Sequence, residues 1–530
     1  MLKNQRFLYL AIQVLFCFLI ISYRASAQVV KRIELPLQNA NAAFQTMPLG
    51  DKGVLLISKP DKGTYNVQKF DTNLDRVWSI DGPVESNLDY VASCYDGQSV
   101  FLLFSKYRSS LYQIVKVNIG PGFVETFTIN TIDRFEITDF KTLGYAVFMA
   151  GMVRNEPVLI HTNLTTSQTR VLPTAIKGSN AIQTVEVDTT HHLVNVCFAV
   201  KKGRQTKIVA RSYEETGELY VQASIDPEDD YSLLSGRLQI LNDSVRMVIG
   251  TYGYRNMQST SNAASQGLYI SKIVNDEVVF TRYHSFTDFK NFFNYMNERQ
   301  QEKIERKIRK KKENGDDLKL NYRLLVHDIV PKNNQFLLVA EVFYPEYRYQ
   351  NNMMGGGFGY GSMMMGGYPF GAGLYNPYLW NPMYGGMRGY NNQQVFDGFT
   401  YTHAILADVD QNGKLIWDNS ISFDNVRSME LREKIKVQDE TNGTTQLVYS
   451  HNGGIRSKVI KGNQVLDNNR IVDNSTTVEG DKVRKTSTDD IDYWFDNFYI
   501  AWGEQRISNA QGDVQTRGRR NVYYLNKISF

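Results

Sequence analysis

Seven histidines, His161, His191, His192, His284, His327, His403 and His451, are the first place to look for metal or general-base chemistry. A zinc site needs several ligands spaced so that they converge. Only His191 and His192 are close in sequence, and neighbours on a strand point to opposite faces. The histidines therefore read as ordinary core or surface residues, and no metal or cofactor is expected. Carboxylates cluster twice. Asp226, Glu228, Asp229 and Asp230 lack the oxygen-ligand spacing of a calcium loop and read as a solvated turn. Asp489, Asp490, Asp492 and Asp496 could do paired-carboxylate acid/base work, or serve as edge charges that oppose aggregation. There is no Gly-x-Ser-x-Gly elbow and no phosphate-binding Gly-rich helix start, so no catalytic residue is assigned.

Two further stretches offer contacts. Over 286–320 the period changes to a helical one: Phe289, Phe292, Phe293 and Met296 fall at i, i+3, i+4 and i+7, with Ile304 and Ile308 continuing the stripe. Thr287 or Asp288 can cap its start and Gly315 its end, predicting a helix of about 27 residues, or about 40 Å. Its second half carries Lys307, Arg309, Lys310 and Lys311. These read either as a solvated arm braced by pairs such as Glu302 with Arg306, or as a basic handle for an acidic partner, anionic lipid or lipopolysaccharide. The segment 350–394 is rich in Gly, Met, Tyr and Asn. So much glycine opposes folding as a core, whereas Met353, Met354, Met363, Met364, Met365, Tyr368, Tyr375 and Trp380 suit adaptable apolar contact with another protein. Thioether binding of Cu(I) is disfavoured, because the loop has no Cys or His.

These elements hang on a repeat. Eight continuous apolar cores recur: Val54 to Ile57, Val100 to Phe104, Tyr145 to Met149, Leu193 to Val200, Val245 to Ile249, Phe336 to Phe343, Leu447 to Tyr449 and Phe498 to Trp502. The pitch is about 47 residues, interrupted by the two insertions. A short run that is apolar on both faces fits a strand inside a sheet covered on both sides, and the runs that follow alternate. Four strands in about 45 residues make a propeller blade. The eighth unit ends after three strands, so Val29 to Leu37 is predicted to supply its fourth and close the ring. The expected fold is an all-β propeller over 28–530 with eight blades, or seven if the unit Glu136 to Leu172 is irregular. An outer-membrane barrel is the rival, and it would require alternating strands that these cores lack.

Lys3 and Arg6, an apolar run from Phe7 to Ile21, and Ala25-Ser26-Ala27 before Gln28 predict an export signal over 1–27. Its removal takes the formal charge from +4 to +1, and a near-neutral body argues against nucleic-acid binding. No later segment approaches membrane-spanning length. Cys94 and Cys197 lie in strand-like apolar contexts and read as buried free thiols, with a disulfide as the alternative that export permits.

The turns Asp71-Thr72-Asn73-Leu74-Asp75-Arg76-Val77-Trp78 and Asp410-Gln411-Asn412-Gly413-Lys414-Leu415-Ile416-Trp417 resemble the Asp-x-x-Gly-x-x-x-Trp stretches of quinoprotein-type propeller repeats. That resemblance implies the fold, not a quinone cofactor. The leader junction and the loop composition resemble those of exported Bacteroidota proteins. The expected role is a non-catalytic interaction scaffold of a bacterial envelope, periplasmic or on the periplasmic face of the outer membrane, with an extracellular location as the alternative. A glycan-acting hydrolase or lyase with its site at the propeller axis is the second reading.

Overall fold

The computed structural model describes residues 28–37, 44–106, 108–154, 156–174, 179–203, 205–257, 264–327, 329–332, 335–349, 394–428, 431–439, 443–474, 476, 478–509 and 518–530. Residues 1–27, where an export signal is expected, and almost all of the Gly/Met/Tyr-rich segment, including its eight named contact residues, lie outside the described residues.

The strands form eight separate antiparallel sheets, not one closed barrel, and each sheet is a blade. Numbered in chain order, the blades begin with the inner strands Phe44–Pro48, Asp89–Tyr95, Glu136–Leu143, Ser179–Asp188, Tyr231–Leu233 with Arg237–Ile240, Arg323–Val326 with Val330–Lys332, Lys436–Asp439 and Asp481–Phe495. Inner strands of successive blades approach one another, whereas outer strands such as Val124–Asn130 are largely exposed. The unit Glu136 to Leu172 is a regular blade, so the count is eight.

The apolar cores are the second strands. Val54–Ser58 and Ser99–Ser105 are buried throughout because each faces a neighbouring blade on both sides. Alternation along the strand divides the work: Leu55 and Ile57 pack toward blade 2, and Val54 and Leu56 toward blade 8. Eight hydrophobic clusters result, one between each pair of blades. Burying each large apolar side chain contributes about 1.5–3 kcal/mol.

Closure follows the prediction. Gln28–Pro36 pairs antiparallel with Gly518–Ser529, from Gln28 opposite Ser529 to Pro36 opposite Val522, and completes blade 8. The indole of Trp494 then donates to the Gly53 carbonyl at 2.8 Å, tying blade 8 to blade 1.

The two related turns are built alike. The Asp71 carboxylate accepts from the amides of Asn73 and Asp75, and that of Asp410 from Asn412 and Lys414, all at 2.8–2.9 Å. Gly413 sits in the left-handed region at φ 71°, and Leu74 takes the same conformation at φ 58°.

Two expectations are corrected. The helix, α1, runs only from Glu298 to Glu313, sixteen residues, after an Asn297 capping box. Phe289, Phe292 and Phe293 keep their helical spacing, but Phe289 is extended backbone at ψ 136° and Phe292 and Phe293 lie in turns. The Asp418 carboxylate of blade 6 accepts from the amides of Lys290 and Asn291 at 3.0 and 2.6 Å, anchoring this segment to blade 6. The aromatic rings still pack on the ring of blades, between blades 5 and 6. His191 and His192 lie in the turn before Leu193–Lys202, not on a strand, and His192 has φ 54°. No described helix is long and apolar enough to cross a membrane.

Candidate functional site

Breaks in two inner strands aim charged groups inward. In blade 5 the strand is interrupted at 234–236, where Ser235 Oγ accepts from the Thr251 amide at 3.1 Å. Gly250 permits this, since a Cβ there would sit 1.9 Å from the Ser235 carbonyl oxygen. Arg237 follows the break, and its guanidinium bridges Glu186 of blade 4 and the Val326 carbonyl of blade 6. In blade 6 the break falls at His327, whose amide donates to the Val339 carbonyl.

His327 joins a cluster that sequence reasoning did not identify. Its Nε2 lies 3.0 Å from Oε1 of Glu341, a carboxylate with no solvent exposure. The same oxygen accepts from the backbone amides of Lys434 and Ile435 at 2.7 and 2.6 Å. Glu433, just before the inner strand of blade 7, approaches His327 Nδ1 and Arg237 Nη2, each at 3.9 Å. Lys436 lies 3.6 Å from Asp492, and Arg432 lies 3.2 Å from Asp490. Lys141 of blade 3 also acts on the Glu433 charge. Lys141 and Lys436 both lie on inner strands, those of blades 3 and 7, which stand opposite one another in the eight-blade ring. Glu433 is surrounded by protein, yet its side chain is 34% exposed, as a group lining an axial opening must be.

The charges stabilise one another. Burial is the largest influence on Glu433 and opposes its ionisation. His327, Lys436, Arg237 and Lys141 together outweigh that and hold its pKa below the usual carboxylate value. For His327, burial again opposes the charge, and Glu433 and Glu341 together raise the pKa above its ordinary value. Asp492 differs, because burial first and Asp490 with it push its carboxyl up, against Lys436. The cluster can therefore hold an ionised carboxylate, a protonated imidazole and a carboxyl of raised pKa side by side.

The residues singled out from sequence divide. Asp490 and Asp492 join the axial cluster. Asp489 instead accepts from the Gly453 amide at 2.8 Å, and Asp496 occupies an exposed turn. The stretch from Asp226 to Asp230 links blades 4 and 5 as a turn. Lys307, Arg309 and Lys310 are exposed on α1, and Lys311 is paired with Asp316. Glu302 offers its backbone carbonyl, not its carboxylate, to Arg306. The remaining histidines make local contacts, such as His284 to the Gly413 carbonyl at 2.7 Å, or are buried like His403, whose pKa burial lowers to about 3. Cys94 and Cys197 are unbonded thiols, both pushed up to about 12 by burial. Among the described residues no three His, Cys, Asp or Glu side chains form a metal-binding group.

No protein-family model matches the chain, and no curated protein does. Solved structures similar to it include the polysaccharide lyase Uly1, at 8% identity and TM-score 0.37, with 83% of this chain and 89% of that chain covered. The Dos1 propeller is similar at 11% identity and TM-score 0.37, covering 84% and 92%. The β-propeller domain of the Trilobed protease from Pyrococcus furiosus is similar at 9% identity and TM-score 0.32, covering 82% and 95%. At such identities the likeness is one of fold alone.

Proposed function

We propose that this chain is a non-catalytic interaction scaffold of a bacterial envelope, exported to the periplasmic side, which binds partner proteins through one propeller face and its insertions. The observation that carries this reading is α1, a sixteen-residue helix with no buried residue on an otherwise all-β ring. Only Ile304 and Ile308 pack against the core, so what the helix chiefly offers is its basic surface. The export signal and the Met- and aromatic-rich segment expected from sequence point the same way. Deleting 353–392, or changing Lys307, Arg309, Lys310 and Lys311 to Gln, is expected to leave the circular dichroism spectrum unchanged and to lower recovery of cross-linked envelope partners severalfold. An unchanged partner set in both variants overturns the proposal.

One observation favours a second reading, a glycan hydrolase or lyase acting at the axis. Asp490 and Asp492 stand two residues apart on one strand beside Arg432 and Lys436, and the Asp492 carboxyl is held above its ordinary range. On that reading Asp492→Asn slows cleavage of cell-wall or capsular glycans by about 10²-fold or more. Absence of product from any of these glycans with the unaltered protein removes it.

A further inference from the structure

The antiparallel blades divide their connections between two faces. Turns from inner to second strand and from third to outer strand lie on one face. Connections from second to third strand, and from one blade to the next, lie on the other. α1 joins the outer strand of blade 5, which ends at Ser285, to the inner strand of blade 6, which starts at Arg323, so it belongs to this second face. The strands Phe498–Asn509 and Gly518–Ser529 of blade 8 pair to their ends, Asn509 opposite Gly518, and extend as a hairpin toward the same face.

Both elements are basic. On α1, Lys303, Arg306, Lys307, Arg309 and Lys310 are exposed. On the blade 8 extension, Lys482, Arg484, Lys485, Arg506 and Arg519 are exposed. None of these ten forms an ion pair among the described residues. Arg484 and Arg506 meet only the neutral oxygens of Ser508 and Asn521. Nearby carboxylates on α1's flanks are already engaged, Asp288 by Lys312 and Asp316 by Lys311. The opposite face has the reverse sign. Its turns expose Asp51, Glu215, Glu218, Asp243 and Asp496 against Lys52 and Lys414. Carboxylates are exposed on the basic face too, in the turn from Asp226 to Asp230 and at Glu298, Glu302, Glu305 and Glu313 of α1, but the eight Lys and Arg residues of α1 outnumber its four glutamates.

We infer that the face carrying α1 and the blade 8 hairpin docks on an anionic phospholipid bilayer, with the acidic face turned away. The inference rests on the scaffold reading only in taking the envelope as its setting. A chain of 530 residues with a formal net charge of only +4 gains little from non-specific attraction, but one polarised across its faces is oriented by a charged plane. The two basic arms are separated by the width of blades 6 and 7 and held on one rigid ring. A flat, extended anionic surface meets both at once, whereas a compact acidic protein engages one. Each Lys or Arg near an anionic membrane surface strengthens binding about fivefold, and the second arm binds with the advantage of the first.

The test uses the purified chain with vesicles of phosphatidylglycerol in phosphatidylcholine, against phosphatidylcholine alone. The protein is expected to co-sediment with the anionic vesicles only, and to be released as salt shortens the screening length. Lys303→Gln, Lys307→Gln and Lys310→Gln together, or Arg484→Gln, Lys485→Gln and Arg506→Gln together, are each expected to weaken vesicle binding on the order of a hundredfold, with circular dichroism unchanged. Equal binding to both vesicle types, arm variants that bind like the unaltered chain, or binding to inorganic polyphosphate but not to vesicles each overturn the inference. Deletion of 353–392 leaves both arms in place and is expected to keep vesicle binding, so loss of partner proteins and loss of membrane docking are read separately.

Discussion

A chain lacking Gln28–Pro36 is expected to lose its closed ring, with a large fall in melting temperature and rapid proteolysis near blades 8 and 1. The strand supplies the whole outer row of blade 8, and its removal leaves Gly518–Ser529 as an unpaired edge. Ile33 and Leu35 leave the cluster between blades 8 and 1. Arg32 matters more. Its side chain is 1% exposed, lies 4.6 Å over the Tyr524 ring, and donates to Glu34, Gln505 and Asn526 at 2.8, 2.8 and 3.3 Å. Glu34 in turn accepts from Arg520, which also holds Asp481. The strand thus closes the ring through a buried polar network as well as a ladder, and removing one member of such a network destabilises by about 3–5 kcal/mol. Arg32→Met alone is expected to approach that figure in denaturant unfolding. A synthetic peptide of residues 28–37, added to the truncated chain, is expected to restore part of the melting temperature. A truncated chain that melts like the intact one sinks this account of closure.

The closure was legible because it follows from a shortage: the eighth unit had three strands, and the segment before the first had strand character. The doubly buried second strands were legible for a related reason, since uninterrupted apolarity needs a neighbour on each face. The start of α1 was not. Phe289, Phe292 and Phe293 have helical spacing, but Phe289 is extended at ψ 136°, and Asp418, far along the chain, fixes the turn that follows through the amides of Lys290 and Asn291 and the Asn291 side chain. A long-range partner overrode the local pattern. The axial cluster was half legible. Asp490 and Asp492 drew notice as a run, but Glu186, Arg237, His327 and Glu433 stand alone in sequence and converge only because the ring brings four blades together. One signal was present: Glu341 interrupts the apolar run from Phe336 to Phe343, and a carboxylate within a doubly buried strand must have a partner.

That partner is the basis of the second large expected effect. Glu341→Leu removes the acceptor for the Lys434 and Ile435 amides and strips His327 of its nearest carboxylate, so a loss of about 3–5 kcal/mol is expected in equilibrium unfolding. Glu341→Gln keeps a carbonyl for the two amides and removes only the charge. It is expected to cost less and to lower the His327 pKa, read from the imidazole resonances. The pH dependence follows from the directions of the shifts. His327 is raised above 6.5, with Glu433 and Glu341 holding the proton against burial and Lys436, so its contribution is complete below that value and is lost as pH rises through the folded one. Glu433 is lowered from 4.5, so its contribution is present above that value and is lost as pH falls through the folded one. Asp492, raised from 3.8 by burial, contributes below that value and loses its contribution as pH rises through its folded pKa. The cluster should therefore stabilise the ring most between about 4.5 and 6.5 and less at higher pH, a decline that His327→Gln should flatten. If the unaltered protein and His327→Gln lose stability in parallel as pH rises above 6.5, or if Glu341→Leu costs under about 1 kcal/mol, the axial charges do not hold the blades together.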